Sequence, residues 1–265
     1  MKALRTASQL VIFLYLTLKS VWEHRHLGRR DFLRQVLMQV YFTAVQAMDT
    51  VAVLAMAVGV LAISTAAGEL GALSGEDNLG RTVTVVVLRE VAPLLTGGIV
   101  IVRSVTAIAA ELGVMRVQRE IEALEVMGIP PLRQLIAPRI FGGLLSFFGL
   151  NVLFDTVALV GGYAVAQLFT PVSASVFFGS ALSATTPADL IAFWIKVVPG
   201  GIGVFLIACY HGLDVGSSST EIPVAVSRAA LHALVFLVLL HAAVSTFALL
   251  LTTHGTVSLV GGLLR

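Results

Sequence analysis

The sequence predicts an all-α integral membrane protein with about five transmembrane helices, an N-terminal interfacial amphipathic helix and one charged helix between spans. Three observations predict it. Charge is scarce: 57% of the 265 residues are hydrophobic and 12% are charged, where a soluble domain carries about a quarter. Mean hydropathy is +0.96. The apolar residues form continuous runs rather than alternating ones, which favours helices over a barrel. Lys and Arg are unevenly shared among the loops, as in a chain that crosses a bilayer several times.

Other classes are excluded early. The net charge of +2 leaves no nucleic-acid footprint. A single cysteine, Cys209, rules out an intrachain disulfide and a Cys-based metal cluster, and reads as a small buried apolar residue. His24 and His26 lie two apart, on different sides of a helix, and do not make a metal site. No Gly-Lys-Ser/Thr phosphate loop, H-E-x-x-H or G-x-S-x-G occurs. Energised work would therefore draw on a partner or an ion gradient.

Two regions follow in order: 1–34, an interfacial helix and basic elbow, and 35–265, the polytopic part. Leu10–Leu18 is apolar but too short to span, which takes roughly 20 residues. An amphipathic helix in the interface fits, anchored by Lys19 and Trp22. Arg25, Arg29, Arg30 and Arg34 form the elbow, read as a topology signal with a lipid-headgroup site as the alternative. Spans are expected near 42–67, 82–110, 135–169, 190–210 and 229–251. Small residues in the first (Ala52, Ala55, Gly59) and the cluster Gly200, Gly201 and Gly203 in the fourth suit close helix packing. Gly68–Gly80, Thr170–Pro187 and His211–Ser227 read as loops.

Seven Lys and Arg precede the first span, Arg116, Arg119, Arg133 and Arg139 lie between the second and third, and the 170–187 loop has none. That alternation puts the N-terminus in the cytoplasm. It also makes the stretch 111–128 cytoplasmic. There Val114, Val117, Ile121, Leu124 and Gly128 recur at helical spacing, and Arg116 can pair with Glu120 at i,i+4. Gly128, Pro130 and Pro131 stop the helix. Its charges either solvate a loop or, with Met115, Met127 and Ile129 beside them, form a docking surface.

Arg89 and Glu90 lie inside the second span, roughly 12–15 Å deep at 1.5 Å per residue. Charges at that depth face a cavity or a partner. Adjacent residues diverge on a helix, so each needs its own partner, and Lys196 and Asp155 are the complements expected from other spans. Pro93, one turn on, frees a backbone carbonyl. Arg103 completes this intramembrane set. It is either a structural ion-pair network or part of a transport path. Asn151 shares a face with Asp155, and His232, His241, Ser245 and Thr246 read as interhelical hydrogen-bonding groups.

With these segments in view, the chain resembles the MlaE/YrbE family of ABC-transporter permeases. The matching text is LREVAPLLTG (Leu88–Gly97), AIAAELGVMRVQREIEALEVMGIPPLRQLIAPR (Ala107–Arg139) and, more loosely, HGLDVGSSSTEIPVAVSRAALHAL (His211–Leu234). The layout agrees over about residues 35–250. The resemblance implies a homodimeric permease in the bacterial inner membrane, moving phospholipid or a related lipid. It implies a cytoplasmic ATPase that binds ATP and Mg on its own chain, and a periplasmic MCE-domain protein. It makes 111–128 the coupling helix, with Glu111, Leu112, Gly113, Met115, Arg116, Arg119, Glu120, Glu125, Met127 and Gly128 at the ATPase. It puts Arg89 and Glu90 near the lipid pocket. The chain departs from the family at Val102 and Val105 around Arg103, at Ser64–Thr65, and in 211–227. A rival reading is an ion-coupled secondary transporter using Arg89, Glu90, Asp155 and Lys196. No inverted repeat supports it. A lipid-modifying membrane enzyme lacks a nucleophile–base or metal constellation.

Overall fold

A computed structural model describes residues 2–24, 26, 28–70, 84–167, 173–185 and 187–263. The described residues are helical, without strands. The order is α1 (Lys2–Glu23), α2 (Arg29–Thr43), a 3-10 turn (Val45–Ala47) and α3 (Met48–Leu70). A π-helical segment (Thr84–Val91) leads into α4 (Ala92–Val100), and a second (Ile101–Val105) into α5 (Thr106–Val117). Then come α6 (Glu120–Val126), a π segment (Leu132–Ile136), α7 (Ala137–Thr156), a π segment (Val157–Gly161) and α8 (Gly162–Ala166). The chain continues through α9 (Ala174–Ala184), α10 (Pro187–Leu213), a 3-10 turn (Ser219–Glu221) and α11 (Ile222–Leu263).

Among the described residues, five helical stretches are long and apolar enough to cross a membrane: Arg29–Thr65, Val87–Val117, Leu132–Val165, Asp189–Leu213 and Ser219–Ala248. The number matches the sequence reading, and the ends differ. Arg29, Arg30 and Arg34 lie in the first turns of α2 rather than in a separate elbow. The third stretch, Leu132–Val165, is one continuous helical segment that accommodates two π segments. Within the expected 170–187 loop stands α9, and 211–227 is mostly helical, because helices continue past the apolar core that hydropathy detects. Arg25, most of the 68–80 loop, Arg81, 82–83, 168–169 and Arg265 lie outside the described residues.

The chain forms two compact units. The first comprises Met1–Asp49, Thr96–Leu150 and Val198–Phe236. Glycines set its helix crossings. A Cβ on Gly142 would come within 2.8 Å of the Val36 carbonyl oxygen, and one on Gly212 within 2.8 Å of Leu112 Cβ. Gly201 seats against Leu144 and Phe147, and Gly203 against the ring of Phe236. These contacts give the fourth-span glycines a packing role. The amphipathic α1 is fastened by Tyr210, whose hydroxyl donates to Gln9 Oε1 at 2.9 Å and whose ring meets Phe13 edge-on. Its other face leaves Val11, Ile12, Tyr15 and Trp22 exposed, the surface of a helix lying in an interface.

The second unit comprises Thr50–Leu95, Asn151–Val197 and Leu237–Arg265. Gly59 of α3 faces Ala158 and Gly162, and a Cβ on Gly162 would lie 2.8 Å from Gly59 Cα. A Cβ on Gly59 would strike the Ala158 carbonyl. Tyr163 stacks on the buried Phe177 with ring centroids 5.1 Å apart.

Gly59→Val should therefore lower the thermal unfolding temperature of the detergent-solubilised protein, as overpacking costs about 1–3 kcal/mol. Gly98→Ala, whose added Cβ meets nothing within 4 Å, should leave it unchanged. Equal melting of the two variants would remove the close crossing as a determinant of the fold.

Candidate functional site

Four charged side chains and a hydroxyl converge in the second unit. Arg89 and Glu90 stand on the π segment Thr84–Val91, Asp189 and Lys196 on α10, and Ser245 on α11. Lys196 Nζ donates to the Arg89 carbonyl at 2.7 Å and to Glu90 Oε1 at 3.1 Å. Ser245 Oγ donates to the same carboxylate, at 2.9 Å to Oε1 and 2.7 Å to Oε2. Arg89 Nη1 lies 3.1 Å from Asp189 Oδ1. Each of the two thus has a partner from another helix, although Arg89 Nε also lies 4.0 Å from Glu90 Oε1, so the neighbours do not diverge fully.

Proline explains why the lysine binds backbone. Pro93 has no N–H, so the α-helical pattern offers no donor to the carbonyl four residues earlier, which is that of Arg89. Lys196 supplies one. Its side chain is 2% exposed, and an ammonium so buried is tolerable only when paired and hydrogen-bonded.

A cavity of about 230 Å³ opens beside the cluster. Arg89, Asp155, Asp189 and Lys196 line it with apolar Leu88, Pro93, Leu190 and Phe193. Asp155 stands on this cavity but does not pair with Arg89 or Lys196, and its buried Oδ1 has no hydrogen-bond partner among the described residues. Asp189 takes the place expected of Asp155. It stands one residue before the expected 190–210 span, outside the stretch that hydropathy marks. The signal was present, since residues seven apart share a helix face and Asp189 is seven before Lys196.

Arg103 belongs elsewhere. In the π segment Ile101–Val105 its guanidinium donates to the Gln46 carbonyl and side-chain oxygen, bracing the 3-10 turn between α2 and α3. Of its neighbours, Val102 is exposed and Val105 fully buried. Thr65 bonds only within its own helix, to the carbonyls of Leu61 and Ala62. His232 meets His211 at 2.7 Å, and His241 bonds the Leu237 carbonyl of its own helix.

The stretch 111–128 lies in the first unit and is two helices, not one. It breaks after α5 at Arg119, whose φ of 58° is left-handed. The break resets the helical phase, so Arg116 pairs with Glu122 at 2.6 Å instead of Glu120. Glu111 pairs with Arg139 at 2.9 Å, and Arg139 also donates to the Leu135 carbonyl. Leu112 and Gly113 are buried, Gly113 against Val215 and Ile222, so they cannot form part of a docking face. Met115 and Arg116 are half-buried. Arg119, Glu120, Glu125, Met127 and Gly128 are exposed, with Val126 at 89%.

The second unit thus holds an apolar-walled cavity bordered by paired charges. The family model described as Permease MlaE matches residues 36–247, and the chain belongs to that family. It is 32% identical over 161 residues to the intermembrane phospholipid transport system permease protein MlaE of Haemophilus influenzae, covering 60% of this chain and 62% of that protein. It is 26% identical over 209 residues to a probable ABC transporter permease protein of Rickettsia prowazekii, covering 78% and 80%. A probable ABC transporter permease protein of Synechocystis is 27% identical over 194 residues, covering 71% and 74%.

Glu90→Gln strands the Lys196 ammonium and should destabilise the protein by about 1.5–3 kcal/mol, the worth of hydrogen bonds to a charged group. Glu90→Gln with Lys196→Met should cost less than the sum of the single changes, as contacting residues are not additive. Additive melting shifts in this double-mutant cycle would dissolve the proposed coupling.

Proposed function

We propose that this chain is the membrane-spanning subunit of an ABC transporter that moves phospholipid or a related lipid. The supporting observation is the cavity that sets charged groups of both signs against apolar walls, the chemistry that an amphiphile with a charged headgroup requires. Membership of the MlaE family and the printed function of the Haemophilus relative point the same way. An ion-coupled secondary transporter would use the same charges, but the Rickettsia and Synechocystis relatives are described as probable ABC transporter permeases.

On this reading the chain sits in the bacterial inner membrane with its N-terminus in the cytoplasm, as its Lys and Arg placement supports. It binds no nucleotide itself. ATP and Mg are held by a separate cytoplasmic ATPase, and an MCE-domain protein exchanges lipid on the periplasmic side. The functional unit is a homodimer. One chain's cavity, at about 230 Å³, is below the roughly 300–1,000 Å³ of sites that enclose small ligands. A second copy would complete it.

The ATPase would engage the exposed face of α6 and its flanks: Arg119, Glu120, Glu125, Met127 and Gly128. Movement there would bias the dimer between lipid-accepting and lipid-releasing states. The ion pairs Arg116–Glu122 and Glu111–Arg139 would make the element move as a body. Arg89 would meet the lipid headgroup, while Glu90 and Lys196 brace the wall.

A tagged copy extracted in mild detergent should bring down an ATP-binding subunit and show no ATPase activity by itself. Extraction of the chain with no such subunit would count heavily against the reading. Glu120→Lys reverses an exposed charge without breaking either ion pair. It should lower lipid-stimulated ATPase activity of the complex severalfold at unchanged abundance of this chain, and an equal fall in both would reduce α6 to a structural role.

A further inference from the structure

A second polar pocket lies in the first unit and shares no residue with the cluster around Lys196. It has a volume of about 260 Å³ and is lined by Val21, Arg29, Phe32, Leu33 and Arg133. Val21 comes from α1, Arg29 to Leu33 from the first turns of α2, and Arg133 from the π segment Leu132–Ile136. α1 packs on that π segment. Arg29 opens the first membrane span, and Arg133 is the second residue of the third. Both arginines therefore stand at the starts of helical stretches long and apolar enough to cross a membrane.

Arg133 is 7% exposed, yet among the described residues it forms no hydrogen bond or ion pair. No ion pair joins Arg133 to a carboxylate among the described residues. Glu23 pairs with Lys19 and Glu111 with Arg139. Asp31 is exposed and lies beyond ion-pair distance of both arginines. A largely buried arginine without an anion is costly, and here a second cation, the exposed Arg29, lines the same pocket. The rest of the wall is apolar. Leu33 is 58% exposed at its rim, and Trp22, next to Val21, is 72% exposed. Two arginines and apolar side chains lining one pocket beside the amphipathic helix are complementary to an anionic phosphate that carries acyl chains.

We infer that Arg29 and Arg133 bind the phosphate of an anionic phospholipid headgroup, seating it between the amphipathic helix and the starts of the first and third spans. The site does not depend on the transport reading. Its lipid is a resident ligand that fastens α1 to the bundle, and the residues of the Lys196 cluster do not contribute to it.

The full chain is placed in nanodiscs of mixed phosphatidylglycerol and phosphatidylcholine, and lipids retained after release are counted by native mass spectrometry. The wild type should retain phosphatidylglycerol selectively. Arg133→Gln and Arg29→Gln should each weaken that retention about tenfold, the worth of one charge-assisted hydrogen bond, with Arg133→Lys falling between. Arg228→Gln, which removes an exposed arginine that does not line the pocket, should leave it unchanged, which separates this site from general attraction to basic charge. Arg29 is exposed at a helix start, so its variant carries the test if Arg133→Gln does not fold. Unchanged phosphatidylglycerol retention in the folded variants overturns the inference, as does equal loss of both lipids, which would mark a nonspecific annular contact. Displacement of the lipid by excess inorganic phosphate overturns the assignment to a lipid and leaves a free-anion site.

Discussion

Lys196 is an ammonium buried within a span, and the second unit is arranged to make that burial tolerable. A lone cation in hydrocarbon is expensive enough that a span carrying one must supply partners. Three features do so together: the Arg89 carbonyl beside Pro93, the Glu90 carboxylate, and Ser245, which binds that carboxylate through both oxygens. Each group answers a need created by another. The proline leaves the carbonyl without its helical donor, the lysine donates to it, the glutamate neutralises the lysine, and the serine completes the glutamate's hydrogen bonding. Arg89 is then left to Asp189 and to the cavity.

The π segments belong to the same economy of backbone groups. An extra residue in a helical turn shifts the side chains that follow onto another face. Thr84–Val91 presents Arg89 and Glu90, Ile101–Val105 turns Arg103 toward Gln46, and Leu132–Ile136 turns Arg133 inward. Thus three of the four π segments carry an arginine that would otherwise have no defined environment. At the other extreme of side-chain size, glycines such as Gly59, Gly142 and Gly212 let backbones approach where no directional group is needed. Small residues supply proximity, and irregular turns supply direction.

The spans were legible because long apolar runs admit little else in a membrane, and their number is the same in the structure. The partnership of Lys196 with Glu90 was legible from cost alone, since a charge that deep must find its opposite. What could not be read was local phase. A period of 3.6 carried through 111–128 pairs Arg116 with Glu120, but Arg119 in the left-handed region breaks the period and gives Arg116 to Glu122. Nothing in composition marks a non-glycine residue as left-handed. The same limit assigned Asp155 to the ion network and Arg103 to the cavity. Hydropathy gives the length of a helix, while the azimuth of each side chain depends on inserted residues that the pattern does not register.

These constraints bear on how such a protein can move. A network in which Lys196 serves both a backbone carbonyl and a carboxylate cannot be opened one bond at a time without leaving a buried charge unpaired, so its members should shift together or not at all. The exposed face of α6 is different. Its exposed polar groups are solvated, its break at Arg119 is already strained, and Arg116–Glu122 ties it to α5, which Glu111–Arg139 ties in turn to α7. Such an element can be pushed as a body at little electrostatic cost. Rigidity therefore lies in the buried ion network and compliance at the charged turn, the distribution expected if force arrives from outside the membrane and the cavity wall must keep its charges satisfied while it responds.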